Sequence, residues 1–529
     1  MVPRCRGSGP SDLSPGKNVV EAFSFLATAF HGLADGQGTG HLETPSQFLK
    51  IDGIYTPRPQ PSQGNEPGHR SHIDRIERVH SQPATTGISA QDGLFAHNPL
   101  LEPMRPSFLR SSPIKSSLRS FEHASYRSYW WAQLVSLIGT WMQTVAQGWL
   151  LHRLTGSALM LGYLGAAQFL PVMFFSLWAG VVTDRVDKRR LLAVTQSLLL
   201  FQSLVLAILV LTGRIEAWMV ISLALAGGAV NAFDLPARQA FIVDLVGKDD
   251  LPNAIALNSA AFNTARVLGP AVAGVFIATA GESACFFANT LSFAPILVVL
   301  GRLRFPDRPR ILVREVFHRS LVDGVRYSWG QLPIRNLLLL LGVTTCFGFQ
   351  YTVLLPVYAR DILRAGSGAY AALATAFGLG SLSAAVSMTR APDRPGLRRN
   401  LFLGLGIATV ALAVFAWSRW LPLTALMGFF AGFGLILYVA STNTLLQITT
   451  GDAYRGRVMS LYTFMFAGTA PLGALASGWI AEKFGAPVAT TFSAASLGAG
   501  AIWVFFRLRS LARREAAATA GPAVSEEPG

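Results

Sequence analysis

Two short basic stretches, far apart in the chain, decide how this sequence is organised. The first is GVVTDRVDKRR at 180–190, and the second is DRPGLRR at 393–399. Both fit D-R-x-x-x-R-R, with Asp184 and Asp393 separated by 209 residues, and each stretch follows an apolar segment. The chain is therefore expected to contain two equivalent units, in which the segments before these stretches correspond.

Similar apolar segments continue on both sides of the two stretches. Each is close to the roughly 20 residues that a helix needs to cross a hydrocarbon core. A backbone inside lipid must satisfy its own hydrogen bonds, so these segments are predicted to be helices. Twelve such segments follow Tyr126, namely 127–151, 158–182, 190–212, 217–238, 253–279, 284–301, 333–358, 368–389, 400–417, 421–446, 457–480 and 487–506.

Composition and charge agree with a membrane protein. Of the 529 residues, 51% are hydrophobic and 14% are charged, whereas a soluble domain has roughly 25% charged residues. The net charge of +15 would suggest nucleic-acid binding in a soluble protein, but here no nucleic-acid partner is expected. The loops on one side carry 24 Lys and Arg residues against six on the other. The positive-inside rule therefore predicts that both termini lie in the cytoplasm, and we expect the protein to be integral to the bacterial inner membrane.

The first stretch resembles a family motif. Residues 180–190 are similar to the G-x-x-x-D-R-x-G-R-[RK] motif between helices 2 and 3 of the major facilitator superfamily, with Asp187 in place of the usual glycine. Residues 231–278 resemble the exporter branch that includes the enterobactin exporter, the transmembrane secretion effectors. The resemblance covers about 120–510. It implies an all-α membrane fold with twelve transmembrane helices in two six-helix halves.

The domain boundaries follow from these segments. We expect an N-terminal half at 119–301, a cytoplasmic linker with an amphipathic helix at 302–332, and a C-terminal half at 333–507. Residues 1–118 and 508–529 are predicted to be disordered, because they lack long apolar segments. The sequence from Met104 reads as a short basic lead into the first segment, so the extension before it is interpreted as a possible start-site artefact.

The basic motif is a candidate gate. Asp184 is expected to face the N-terminal dipole of helix 11, near Arg457, and Arg185 to reach Asp234 at the end of helix 4. In the superfamily, the contact of this carboxylate with helix 11 latches the cytoplasmic side while the outer side is open. A solvated basic loop would explain the cations but not Asp184. The predicted gating set is Gly180, Asp184, Arg185, Asp187, Lys188, Arg189, Asp234 and Arg457.

Polar residues inside the apolar segments are candidates for the transport pathway. Asn258, Phe262 and Arg266 share one helical stripe, and an arginine inside a membrane is costly unless it faces water or a partner. The alternative is a structural arginine bound to backbone carbonyls. The amides could instead join helix to helix. The predicted pathway residues are Gln143, Gln147, Gln168, Asn258, Arg266, Gln350, Asn443 and Gln447.

A bend is predicted directly after Arg266. Gly269, Pro270 and Gly274 resemble the G-P-x-x-G-G antiporter motif of helix 5, with one extra residue before the last glycine. A proline inside a helix removes a backbone hydrogen bond and permits bending. The resemblance therefore suggests an antiporter, although no carboxylate lies in the middle of helix 1. Asp234 is the remaining candidate for carrying the proton.

Other chemistry is excluded or set aside. His69 and His72 offer two ligands without a third, so no metal or other cofactor is expected. His318 and Asp323 match the H-x-x-x-x-D spacing of glycerolipid acyltransferases, but no soluble domain accompanies them. No Walker sequence is present, so ATP is not expected to drive the protein. The protein is not expected to be an enzyme.

The sequence thus predicts a secondary active transporter. We expect a monomer that exports a small amphiphilic or siderophore-like compound by alternating access and proton antiport within the lipid bilayer. The alternatives are a flippase for lipids or lysolipids and a membrane sensor that transports nothing. The sequence does not indicate the direction of transport.

Overall fold

The structure is a computed structural model that describes residues 118–303, 317–388 and 393–519. These residues form helices and short connections, and no strand occurs among them. The first half contains α1 (Ala124–Thr155), α2 (Ala158–Arg185), α3 (Lys188–Leu211), α4 (Ala217–Val246) and α5 (Leu251–Arg302). A short helix, α6 (Phe317–Gly330), precedes the second half. The second half contains α7 (Leu332–Ile362), α8 (Gly366–Ser387), α9 (Arg394–Trp417), α10 (Leu421–Thr449), α11 (Asp452–Phe484) and α12 (Ala486–Thr519).

The helices confirm the predicted twelve-helix fold. Ten helices in the described part are long and apolar enough to cross a membrane. One of them, α5, has 52 residues and a non-helical φ of 78° at Gly281, which divides it into two arms. Since 52 helical residues would measure far more than a bilayer core of about 30 Å, α5 accounts for two predicted segments. The 32-residue α1 supplies the remaining one.

The two halves pack against each other through two pairs of helices, α2 with α11 and α5 with α8. Small residues allow this close approach, as is common between helices in membranes. A Cβ added to Gly162 of α2 would lie 2.8 Å from the carbonyl oxygen of Ala474 in α11. A Cβ added to Gly378 of α8 would lie 2.9 Å from the carbonyl oxygen of Arg266 in α5. These interfaces place Arg266 beside the opposite half.

Two corresponding helices begin with the same cap. Asp187 precedes α3 and accepts hydrogen bonds from the backbone N–H groups of Arg189 (2.9 Å) and Arg190 (3.2 Å). Asp393 precedes α9 and accepts one from the backbone N–H of Gly396 at 2.9 Å. The caps are 206 residues apart, so the structure pairs Asp393 with Asp187. The sequence pattern paired Asp393 with Asp184, and this register was therefore wrong by three residues.

The linker helix α6 lies against the start of α11. Tyr327 stacks on Tyr454 with 4.1 Å between the ring centroids, and the two rings are parallel. A Cβ added to Gly324 would lie 2.8 Å from the Cβ of Arg457. A helix is therefore present in the predicted linker segment, and it packs on the same helix end that Asp184 was expected to face. The acyltransferase-like His318 has a side chain outside the described part.

Candidate functional site

The end of the bundle that carries the α2–α3 loop, called here the basic end, holds most of the predicted gating residues. Asp234 is buried there, with 1% of its side chain exposed. It accepts hydrogen bonds from Thr195 Oγ1 (2.7 Å) and Gln196 Nε2 (2.8 Å), both on α3. It also forms an ion pair with Arg238, one turn further along α4. Asp234 is thus fully engaged inside the first half.

The expected pair between Arg185 and Asp234 is replaced in the structure by the pair between Arg238 and Asp234. The side chain of Arg185 is exposed at the end of α2, and Arg238 lies on the same helix as Asp234, at the i+4 spacing that brings side chains together. Lys188 instead contacts Asp244 at 2.9 Å. The side chain of Asp184 lies outside the described part, and nothing within 4 Å would meet a Cβ on Gly180.

The opposite end of the bundle holds polar contacts between the halves that the sequence did not indicate. Glu482 of α11 accepts hydrogen bonds from Ser157 Oγ (2.9 Å) and from the backbone N–H of Leu159 (3.1 Å), at the start of α2. His152 Nε2, at the end of α1, contacts Asp361 Oδ2 of α7 at 2.8 Å. Arg360 donates to the carbonyl oxygen of His152 at 2.9 Å. These contacts hold the halves together at this end.

Two features make the contact between His152 and Asp361 energetically important. Only 1% of the His152 side chain is exposed, whereas 47% of the Asp361 side chain is. The other ring nitrogen of His152, Nδ1, is buried and has no hydrogen bond to any part of the chain that the structure describes. Asp361 is therefore the acceptor on which this buried imidazole depends. In the sequence, the signal for this contact was that His152 and Asp361 each place a polar group near the end of an apolar segment.

Arg266 lies in the membrane, fifteen residues after the start of α5 at Leu251. Its guanidinium carbon is 5.3 Å from the ring centroid of Trp141 and 5.1 Å from that of Phe262. Cation–π contacts contribute about 0.5–2 kcal/mol each, less than the several kcal/mol that desolvating a charge costs. Its Nε is buried without a hydrogen bond. The rings therefore do not satisfy this cation.

Tyr351 of α7 is a neighbour of Arg266 that the sequence did not single out. Its side chain is fully buried, and its hydroxyl has no hydrogen-bond partner. The ring is held by Phe377 and Phe415, with centroids 5.8 and 5.6 Å away. Phe377, which contacts the Tyr351 ring, directly precedes Gly378, and Gly378 packs on the backbone of Arg266. A tyrosine inside an apolar segment resembles an ordinary core residue, so the sequence alone gave no reason to select it.

The predicted glutamines of the first half have two different environments. Gln168 Nε2 lies 3.5 Å from Gln147 Oε1, which brings two of the pathway candidates together, and Gln147 Nε2 is buried without a partner. Gln143 instead donates to Gln202 (3.0 Å) and accepts from Asn289 (2.7 Å). Gln143 thus joins α1 to α3 and to the second arm of α5. Its role in the pathway stays a prediction.

The remaining amide candidates have different contacts. Gln350 is buried and donates to the carbonyl oxygen of Thr345 in its own helix, at 2.9 Å. Its Cγ would lie 2.8 Å from a Cβ on Gly473, so it packs between α7 and α11. Gln447 donates to Asn443 at 2.6 Å on the partly exposed side of α10. Asn258 is half-buried on α5. Among the described residues, no hydrogen bond links Gln350, Asn258 and the pair of Asn443 and Gln447.

At the position of the predicted bend after Arg266, neighbouring helices pack closely against α5. The only residue that leaves helical geometry inside α5 is Gly281, so the described backbone stays helical through Gly269 and Pro270. A Cβ on Gly269 would meet Trp141, and a Cβ on Gly274 would meet Ala371 of α8. These glycines therefore allow α1 and α8 to approach α5. Among the described residues, no group of three His, Cys, Asp or Glu side chains could hold a metal ion.

Comparisons with known proteins agree with this geometry. A family model described as transmembrane secretion effector matches residues 115–527. The chain is 26% identical over 365 residues to a staphyloferrin A transporter of Staphylococcus aureus, covering 67% of this chain and 89% of that protein. It is 28% identical over 397 residues to the multidrug efflux pump Tap of Mycolicibacterium fortuitum, covering 72% and 95% respectively.

Solved structures show the same fold. The fold matches that of a bacterial homolog of the human lysosomal transporter Spinster with a TM-score of 0.57 and 13% identity. The match covers 75% of this chain and 98% of the Spinster homolog. At this level of identity the likeness concerns the fold, with its two packed halves, and not the substrate.

Proposed function

The chain belongs to the transmembrane secretion effector family of the major facilitator superfamily, and from this premise we propose that it exports small amphiphilic or siderophore-like compounds in exchange for protons. Its relatives include a staphyloferrin A transporter and a multidrug efflux pump, so efflux is the activity they favour. The relatives are transporters, and we therefore propose no enzymatic activity for this chain. The family is integral to the bacterial membrane.

The observation that carries the proposal is the way in which the halves meet. Glu482, His152 and Arg360 join the halves at one end through hydrogen bonds that can open and reform. Arg266 lies between the halves, in the middle of the first arm of α5. Two six-helix halves that rock about a central site provide alternating access. We propose that the structure represents the state closed at this end.

The orientation follows from the loop charges. We propose that the basic end faces the cytoplasm, because its loops carry 24 of the 30 loop Lys and Arg residues counted above. The closed end would then face outward, and the conformation would be inward-open. We also propose that the predicted pathway residues, including Gln147, Gln168 and Arg266, line the route, and that one chain suffices for transport.

Transport in reconstituted vesicles tests the proposal. The purified full chain is placed in liposomes that contain a pH-sensitive dye, and a proton gradient is imposed. Hoechst 33342, a weak base that is largely cationic at neutral pH, and tritiated 1-naphthaleneacetate, an anion, serve as the two amphiphilic probes, with protein-free liposomes as the control. We expect at least one probe to move against its gradient, coupled to proton flux in the other direction. Movement of a fluorescent lysolipid without movement of either probe would indicate a flippase, and the absence of all three movements would indicate a sensor.

A further inference from the structure

Arg266 and Tyr351 present hydrogen-bond donors that the protein leaves unused. Arg266 Nε and the Tyr351 hydroxyl are both buried, and neither has a hydrogen-bond partner among the described residues. Among the described residues, no carboxylate forms an ion pair with Arg266. Buried polar groups in proteins are nearly always hydrogen-bonded, and an exception calls for an explanation such as an absent ligand. The two residues come from different halves, Arg266 from α5 and Tyr351 from α7.

The backbone of α7 is also irregular around Tyr351. α7 leaves regular α-helical geometry from Thr344 to Leu354, as a π turn followed by a 3₁₀ turn, and Tyr351 lies within the latter. Such irregular turns inside helices occur frequently at functional sites. Gly378 of α8 packs directly on the backbone of Arg266. The backbone of Arg266 is therefore held against α8, while no ion pair among the described residues holds its guanidinium.

We propose that Arg266 and Tyr351 bind an oxyanion of the transported molecule, a carboxylate or a phosphate carried by an amphiphile. This inference rests on the proposed export function and adds the substrate class to it. A guanidinium offers parallel N–H donors whose geometry matches two oxygens of such a group, and a phenol hydroxyl can add a further donor. Ligands rich in acceptors, and not cationic ones, fit two unused donors and a positive charge.

The aromatic neighbours indicate the rest of the ligand. Trp141 and Phe262 lie within 5.3 Å of the guanidinium carbon, and their rings meet edge to face at 5.7 Å. Phe262 is 38% exposed, so part of its ring is open to a neighbouring molecule. The site thus combines a positive charge with exposed aromatic surface. An amphiphile with one anionic group beside an apolar or aromatic body satisfies both features.

Binding of a charged probe and its neutral analogue tests the inference. Tritiated 1-naphthaleneacetate is bound to the full chain in lipid nanodiscs, and 1-naphthaleneacetamide, which keeps the ring but lacks the charge, competes with it. We expect the carboxylate to bind at least tenfold more tightly than the amide. Arg266→Gln should abolish this preference, whereas Arg266→Lys should keep part of it. Equal binding of the two probes by the unchanged protein would overturn the inference.

Two further variants separate binding from folding. Tyr351→Phe keeps the ring and removes a buried hydroxyl that has no hydrogen bond in the described structure. We therefore expect the melting temperature to stay unchanged or to rise. We expect several-fold weaker binding of the carboxylate with no change for the amide. Arg214→Gln removes an exposed arginine of the α3–α4 loop and should leave the preference unchanged. If Tyr351→Phe or Arg214→Gln changes both probes equally, the assignment to this pair is wrong.

The source of the oxyanion is distinguished by competition. If lysophosphatidylglycerol displaces the probe more strongly than naphthoxyacetate does, and only when Arg266 is present, the site binds a lipid phosphate. The reverse order would assign it to a small carboxylate. The outcome is separate from that of the export test. Transport of Hoechst 33342 without any preference for the anionic probe would refute this inference and leave the export function standing.

Discussion

Glu482 caps the first turn of a helix in the other half of the molecule, through hydrogen bonds from Ser157 Oγ at 2.9 Å and from the Leu159 backbone N–H at 3.1 Å. A carboxylate at a helix N-terminus satisfies free N–H groups and interacts favourably with the helix dipole. The contact can exist only while α11 and the start of α2 are together. It therefore stabilises one conformation selectively, which is the requirement for a gate.

Replacement of Glu482 should weaken the closed end. Because Glu482 is exposed, Glu482→Gln should cost about 0.3–1 kcal/mol in that state, a shift of up to about fivefold in the conformational equilibrium. Single cysteines at the closed end, in a background without Cys5, Cys285 and Cys346, would report it by faster labelling. Lys483→Gln changes the exposed neighbour and should leave labelling unaltered. An unchanged rate in Glu482→Gln would contradict this function of the cap.

The pair of His152 and Asp361 should have a larger effect. Asp361→Ala leaves a buried N–H of His152 without an acceptor, which costs about 1–3 kcal/mol in the closed state. Asp361→Asn keeps an acceptor oxygen and should cost less. We expect labelling at the closed end to rise about tenfold in the alanine variant, with a smaller rise for asparagine. Equal behaviour of the two variants would show that the hydrogen bond does not stabilise closure.

The helices were predictable from the sequence because their apolar length is a strong signal, and the fold followed from the motif at 180–190. The partners of polar residues were less predictable. Glu482 and Asp361 lie at helix ends, where a charge is ordinary, and their contacts depend on how two distant segments pack. Gln143 and Gln350 are amides inside apolar segments like Gln147, yet only the packed structure shows which bonds they make. Arg266 was found because a membrane arginine is costly wherever it lies.

The register correction gives a direct test of the repeat. Asp187→Ala and Asp393→Ala each remove the N-cap of an equivalent helix and should lower the free energy of unfolding by about 0.5–2 kcal/mol. Asp184 lies in the last turn of α2 and not at a helix N-cap, so Asp184→Asn should not destabilise the fold. Thermal unfolding in detergent measures all three. If Asp184→Asn lowers the stability as much as the cap variants do, the result would instead support the pairing of Asp393 with Asp184.

Asp184 should instead affect the opposite conformation. If its carboxylate faces the start of α11 when the basic end closes, Asp184→Asn should weaken that state by about 1 kcal/mol, which is about a fivefold shift in the conformational equilibrium. Transport should fall while expression stays unchanged, and cysteines at the basic end should label faster. Glu482→Gln should open the closed end, whereas Asp184→Asn should open the basic end, and this difference is the specific expectation. If transport falls while the labelling ratio stays constant, the latch hypothesis is wrong.

Asp234 distinguishes a structural carboxylate from a proton carrier. Its carboxylate is buried and bound by Thr195, Gln196 and Arg238, so Asp234→Asn would leave Arg238 with a largely buried, uncompensated charge. Breaking a buried ion pair in this way costs about 3–5 kcal/mol, and the variant should unfold at a clearly lower temperature. Asp234→Asn combined with Arg238→Gln removes both charges and should recover most of that stability.

A structural pair then predicts that the double variant also regains proton-coupled transport, since no charge is left unpaired. A carrier predicts the reverse, because a stable double variant would still lack the group that takes up the proton. Melting temperature and proton flux measured on the same two preparations therefore separate the roles, and stable protein without proton flux would identify Asp234 as the carrier.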